Sequence, residues 1–272
     1  MSSRQVPILR IVIGWIGINV TLIWCLDLWR SGTRQVQKRP SRLAQSMYEL
    51  HSLKGTVTDN SSERRSVDLK YRVLQPQIGT DPVPLVLFLH GAGERGDDDS
   101  CHLVGLPDQL CEPENRSQFP CFCLAPQCPA ESSWGHHLDS LEELVKQWRS
   151  NPRVDPCRIY LTGLSMGGFG TWHLAARRPD LFAAAVPICG WGNPHDASKL
   201  VRLPVWVVHG QEDRVVLPSK SREMVDAIRA AGGQPEYTEV PGVGHDSWTG
   251  AYRDPTGPLP WMFRQKRRDC LP

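Results

Sequence analysis

The sequence predicts an α/β fold class, a mostly parallel, doubly wound sheet flanked by helices, and three observations carry that expectation. Continuous apolar runs at residues 84–89, 184–188 and 205–208 have the pattern of parallel strands covered on both faces. Between them, apolar residues recur at three- and four-residue steps, at Leu138, Leu141, Leu144, Val145 and Trp148 and again at Met224, Val225, Ile228 and Ala231. That is the period of amphipathic helices. With 272 residues and 40% hydrophobic content, the chain can bury one sizeable core. Repeated strand-helix-strand units then place function at the carboxyl ends of the strands.

Taken in order, residues 1–30 read as a signal peptide or N-terminal membrane anchor. After Arg4 and Arg10, residues 11–26 are uncharged. A helix of that run spans about 24 Å, short of a hydrocarbon core of roughly 30 Å, which fits a signal peptide slightly better than a span. No small-x-small cleavage site follows it, Trp15, Trp24 and Trp29 suit a membrane interface, and basic residues on both sides leave the orientation open. A buried core helix is the competing reading. The expected location is exported or membrane-anchored, on the periplasmic or extracellular side.

Residues 31–65 are polar and basic and read as a linker and edge segment; residues 66–268 read as the catalytic domain. Val67, Leu69, Tyr71 and Val73 alternate with Asp68, Lys70 and Arg72, as in a half-exposed edge strand. Residues 157–162 form a short buried-strand pattern, and residues 166–177 a proline-free helical stretch stopped at Arg178-Pro179. The helix around Met224 follows Leu217-Pro218-Ser219, where Ser219 can cap, and ends at Gly232-Gly233, which can turn left-handed.

Charge and cysteine usage narrow the function class. The net charge is only +2 and the basic residues are spread along the chain, so there is no electrostatic footprint for nucleic acid. Nine cysteines suit disulfides, whose pairing sequence does not reveal, although Cys111 and Cys121 flank a loop that a bridge could close. Cys121, Cys123 and Cys128 lack a second half with histidine at zinc spacing and read as small core residues, with no metal assigned.

The chemistry centres on Ser165. It lies between Gly163 and Gly167 directly after a β-branched, aromatic run, the layout of a nucleophile elbow, in which bulky neighbours would clash with the sharp strand-to-helix turn that lifts the hydroxyl clear of the sheet. A nucleophilic serine needs a base and the base an orienting carboxylate. Asp213 follows the 205–208 strand, 48 residues beyond the serine, and His245 lies 32 residues further on in a glycine-rich loop. Glu212 and Asp246 are rival carboxylates, and His90, His136, His137, His173 and His209 rival bases; His90 and His209 end buried-looking strands and read as satisfied by backbone groups. Attack on a carbonyl creates an oxyanion that needs two N–H donors. Met166 supplies one, and the loop after the 84–89 strand the other, from Ala92 or Gly93. Gly91, Gly93 and Gly96 of that loop stand at G-x-G-x-x-G spacing, but no Gly-Lys-Ser/Thr follows and the spacing alone is a weak sign, so no phosphate cradle is assigned.

Six stretches together carry a resemblance: HGAGERGD from His90, LAPQCP from Leu124, GLSMGG from Gly163, PICG from Pro187, HGQEDRVV from His209 and VGHDSW from Val243. They resemble the bacterial α/β-hydrolases of the phospholipase/carboxylesterase and predicted-peptidase group, related to polyhydroxybutyrate depolymerases and dienelactone hydrolases, from about residue 66 to 266. The resemblance implies an α/β-hydrolase fold and an exported serine hydrolase with Ser165, Asp213 and His245 as triad. The expected reaction is carboxylic ester cleavage on a small-molecule or polymeric substrate, without a cofactor. A serine peptidase with the same triad is one alternative, and a non-catalytic hydrolase-like binding protein another. Trp134, Trp191 and Trp248, close to strand ends, are candidates for the substrate pocket.

Overall fold

The computed structural model describes residues 39–58, 64–77, 79, 82–97 and 101–270. The apolar run at 11–26, with its signal-peptide and anchor readings, lies outside the described residues. Among the described residues, no helix is long and apolar enough to cross a membrane.

An eight-stranded sheet runs in the order β1-β2-β4-β3-β5-β6-β7-β8. Its strands are β1 (Tyr48–Thr58), β2 (Arg64–Leu74), β3 (Val83–Leu89), β4 (Phe122–Pro126), β5 (Val154–Leu164), β6 (Ala184–Ile188), β7 (Trp206–Gly210) and β8 (Glu236–Val240). From β4 to β8 all neighbours are parallel. The helices are α1 (Arg42–Met47), α2 (Leu106–Gln109), α3 (Pro113–Gln118), α4 (Leu138–Arg149), α5 (Met166–Arg177), α6 (Ser219–Ala230), α7 (Trp248–Arg253) and α8 (Pro258–Phe263).

β3 and β6 are apolar at every position because both faces are covered. In β3, Leu85, Leu87 and Leu89 join the layer packed by Leu141, Leu144 and Val145 of α4, Trp172 and Leu174 of α5, and Met224, Val225 and Ile228 of α6. Val86 and Phe88 point the other way, into Leu103, Leu106, Leu110, Tyr252, Leu259 and Met262. Each such fully buried aliphatic or aromatic side chain contributes about 1.5–3 kcal/mol.

Three expectations are corrected. β2 is not an edge strand: β1 pairs with it antiparallel from Tyr48↔Leu74 to Thr58↔Arg64, and β4 pairs on its other side. Its alternation reflects Leu69, Tyr71 and Val73 turning into the core while Asp68 and Lys70 face outward. Helix α6 is not capped by Ser219, which is its first helical residue; Pro218, at φ −57°, occupies the cap position without a side-chain hydrogen bond, its ring fixing φ near the helical value. Gly232, at φ +95°, does turn left-handed after the helix. The third correction concerns cysteine. Cys157, near the start of β5, is bridged to Cys270, 113 residues away, with Cα atoms 5.7 Å apart. Cys111 and Cys121 are free and buried. Both belong to the packed face under α2, and burial pushes the Cys111 thiol up to about 12.

Candidate active site

β5 ends at Leu164 and α5 begins at Met166, so the strand-to-helix turn falls on one residue. Ser165 takes φ +54°, a region costly for a side chain other than glycine. Two glycines make that turn possible. A Cβ on Gly163 would stand 2.7 Å from the Leu89 carbonyl oxygen, and one on Gly167 would collide with the same oxygen. The turn is pinned by Ser165 N–H donating to Ile188 O at 2.9 Å and by Phe169 N–H donating to Ser165 O at 3.0 Å. Ser165 itself is only 7% exposed, at the floor of the site rather than at a projecting tip.

Met166, as the first residue of α5, has an N–H without an intrahelical acceptor. The loop after β3 runs beside it, because β3 and β5 are parallel with Leu89 opposite Gly163. Ala92 opens a 3-10 turn, Ala92–Glu94, and is buried, whereas Gly93 is exposed. Within the turn, burial raises the Glu94 carboxyl from 4.5 to about 7, against the lowering effect of the Glu94 and Gly91 backbone groups.

The loops after β7 and β8 bring the carboxylate and the imidazole to the serine. Gly210, at the end of β7, lets the second loop pass directly over it, since a Cβ there would strike the Val243 and Gly244 carbonyls. Gln211 N–H donates to Val240 O at 3.0 Å and Glu212 N–H to Val243 O at 2.8 Å, tying the loops together. His245 then sits with Nε2 2.9 Å from Ser165 Oγ and Nδ1 2.7 Å from Asp213 Oδ2. Because Nδ1 faces a carboxylate, it carries the ring proton, and Nε2 is left to accept the serine hydroxyl.

Asp213 is buried and accepts four hydrogen bonds. Oδ1 takes the Val215 and Val216 N–H groups at 2.8 and 3.0 Å; Oδ2 takes His245 at 2.7 Å and His209 Nε2 at 3.1 Å. Burial alone would raise its pKa, but the donors from His209, His245 and the backbone hold it well below the usual carboxylate range. It therefore stays ionised beside the imidazole.

The rivals are employed elsewhere. His90 has Nδ1 2.5 Å from Gly91 O and accepts Cys128 N–H at 2.9 Å. His173 Nδ1 lies 2.9 Å from Phe169 O, His136 and His137 contact Ser132, and Asp246 accepts Thr249 N–H. Glu212 is exposed. His209 is more than a strand-end histidine: it sits directly behind Asp213, and the four-residue spacing in HGQED was the only sequence sign of this.

Of the three tryptophans, Trp134 is withdrawn as a pocket wall. It is fully buried, donates its indole N–H to His90 O at 3.0 Å and backs α5 at Gly170. Trp248 is half-buried, with its ring edge-on to His245 at 5.5 Å, and half-buried Trp191 lies against Phe169 of α5, the two rings tilted with centroids 4.9 Å apart. Cys189, Asp213 and His245 are the one set of three among the described residues whose potential ligand atoms lie within 4.8 Å of one another. Within it, Asp213 and His245 are hydrogen-bonded to each other, and burial keeps the Cys189 thiol far above its ordinary pKa, hence protonated.

The dienelactone hydrolase family matches residues 130–251, a span that holds Ser165, Asp213 and His245. Poly(3-hydroxyalkanoate) depolymerase C of Paucimonas lemoignei is 47% identical over 51 residues, 19% of this chain and 12% of that protein. Cutinase 2 of Thermobifida cellulosilytica is 32% identical over 94 residues, 34% of this chain and 35% of that one. The crystal structure of a thermostable esterase superposes with a TM-score of 0.70 at 34% identity, over 79% of this chain and 63% of that chain. The chain thus spans less than two thirds of each of these relatives.

Proposed function

We propose that this chain, which belongs to the α/β-hydrolase superfamily and carries a dienelactone hydrolase family domain over residues 130–251, is a serine esterase working through an acyl-enzyme. The observation that carries this reading is the unbroken relay from Ser165 Oγ through His245 to Asp213, with links of 2.9 and 2.7 Å. In it, His245 Nε2 removes the Ser165 proton as Oγ attacks an ester carbonyl, and Asp213 stabilises the imidazolium that forms. The oxyanion is held by the N–H of Met166 and by that of Ala92, the buried member of the Ala92/Gly93 pair. His245 then protonates the departing alcohol and afterwards activates water to release the acid.

The substrate class is a carboxylic ester, small or polymeric, with Trp248 beside the imidazole and Trp191, after β6 and against Phe169 of α5, as the aromatic walls available to it. Names of relatives such as depolymerase, cutinase and esterase agree with that class. The reading is tested by assaying the full chain on p-nitrophenyl acetate and butyrate and on the matching p-nitroanilides. Ester turnover that falls by about 10⁴-fold or more in Ser165→Ala supports it. Ester turnover that survives the substitution, or amide turnover equal to ester turnover, would overturn it.

The same reading places the chain outside the cytoplasm, exported or held at a membrane through residues 11–26. The Cys157–Cys270 bridge supports this, since such bridges persist in oxidising compartments. Fractionation of cells making the full chain tests it, and recovery only in the cytoplasmic fraction would contradict it.

A further inference from the structure

We propose that His209 is a positioning residue for this reaction, one that locks the Asp213 carboxylate to the sheet and through it orients His245; the inference rests on the triad reading above. His209 is the penultimate residue of β7, paired with Glu239 of β8, so its backbone belongs to the rigid sheet. Asp213 belongs to the loop beyond. That loop is not held by packing on its outer side, where Val215 and Leu217 are 60% and 58% exposed. Hydrogen bonds hold it instead, and His209 organises them.

The protonation pattern of His209 follows from its neighbours. Nε2 lies 3.1 Å from Asp213 Oδ2 and 2.9 Å from Val216 O. Both are acceptors, so Nε2 carries a proton shared between them. Nδ1 lies 2.7 Å from Oγ of Ser221 in α6, a hydroxyl able to meet either state of that nitrogen. All three side chains are buried. Val216 is thereby tied twice, its N–H to Asp213 Oδ1 and its carbonyl to His209, which closes the 213–216 turn around the carboxylate. Asp213 Oδ2 takes two imidazole N–H groups, one from the strand behind it and one from His245 in front. Removal of the rear donor leaves Oδ2 held by His245 alone and opens the His209–Val216 link of the turn, so that the carboxylate, anchored only at Oδ1 by the Val215 and Val216 N–H groups, can tilt and His245 loses part of its fixed reference. Small misplacements of this kind are costly, a shift near 1 Å having been worth about a hundredfold in rate.

The test compares the full parent chain with His209→Phe, which keeps a ring and removes both nitrogens, with His209→Gln, which retains one N–H donor, and with Ser221→Ala. Active sites are counted with a fluorophosphonate, and kcat and KM on p-nitrophenyl acetate are expressed per counted site, so that a loss of folded protein cancels. The expected result is a fall of about tenfold or more in kcat for His209→Phe with KM within about twofold, a smaller fall for Ser221→Ala, and partial recovery in His209→Gln. A merely structural role would lower the number of counted sites and leave kcat per site unchanged. That outcome in His209→Phe overturns the proposal, as does parental kcat per site in both His209→Gln and Ser221→Ala should His209→Phe not fold. A parent chain that neither labels nor hydrolyses esters overturns the esterase reading along with it, whereas an active parent with indifferent variants overturns the role of His209 alone.

Discussion

Replacement of Asp213 by asparagine is the perturbation whose consequence the geometry determines most closely. The side chains are nearly isosteric, so the outcome depends on which way the new amide faces. Oδ1 of Asp213 accepts two backbone N–H groups, from Val215 and Val216, and backbone donors cannot reverse. The amide oxygen must therefore occupy that position and the NH₂ group the position of Oδ2, where His245 Nδ1 and His209 Nε2 both present protons. Donor then meets donor. The accessible relief is for His245 to give up its Nδ1 proton and carry one on Nε2 instead, where it points at Ser165 Oγ and can no longer accept the serine proton. Loss of the base by the wrong tautomer costs on the order of 10³–10⁴-fold in kcat/KM, about 4–5.5 kcal/mol of barrier. The assay is p-nitrophenyl acetate hydrolysis per folded molecule, with thermal unfolding as the control for folding. A folded Asp213→Asn chain that retains more than about a tenth of the parental kcat/KM would refute the reasoning.

Further outcomes follow from other parts of the fold. Gly167→Ala drives a Cβ into the Leu89 carbonyl, where both partners are backbone; the expected loss of about 2–3 kcal/mol lowers Tm by about 5–10 °C, and an unchanged Tm would contradict the packing of the elbow. The Glu94 carboxyl is raised in the folded chain to about 7, so its contribution to stability is complete below its ordinary value and is lost as pH rises through about 7. Glu94→Gln should therefore match the parent in Tm at about pH 4 and exceed it by a gap that opens between about pH 4.5 and 7 and then levels off; a gap that stays constant across that range would show the carboxyl to be ionised at little cost. Reduction of the Cys157–Cys270 bridge, which joins residues 113 apart, should cost about 2–5 kcal/mol of stability yet leave ester turnover at room temperature intact, because Cys157 lies at the opposite end of β5 from Ser165. Calorimetry with and without a reductant, alongside the esterase assay, measures both.

What was legible in the sequence was local. The elbow announces itself because close backbone approach admits only glycine at 163 and 167, and the central strands because two covered faces leave no polar alternation. Asp213 and His245 could be picked out because each follows a strand within a short loop, so chain order maps onto spatial order along the sheet. What stayed hidden depends on partners far away in the chain. Nothing in the alternation of β2 distinguishes an edge from the strand beside it, because both have one exposed face; only the pairing with β1 decides. The bridge between Cys157 and Cys270 depends on where the C-terminal segment returns, and Trp134 near a strand end looks like a pocket wall until α5 is seen to close over it. His209 was visible as a residue but not as a partner of Asp213, since its side chain could equally have been satisfied by backbone groups, as that of His90 is.

The central claim is that Ser165 is the activated nucleophile. Intact-mass and peptide mass spectrometry of the full chain treated with a fluorophosphonate tests it most directly. One adduct per molecule, located on Ser165, abolished in Ser165→Ala and greatly slowed in His245→Ala, is the predicted result. An adduct on any other residue, or labelling of Ser165 that is indifferent to His245, would contradict it.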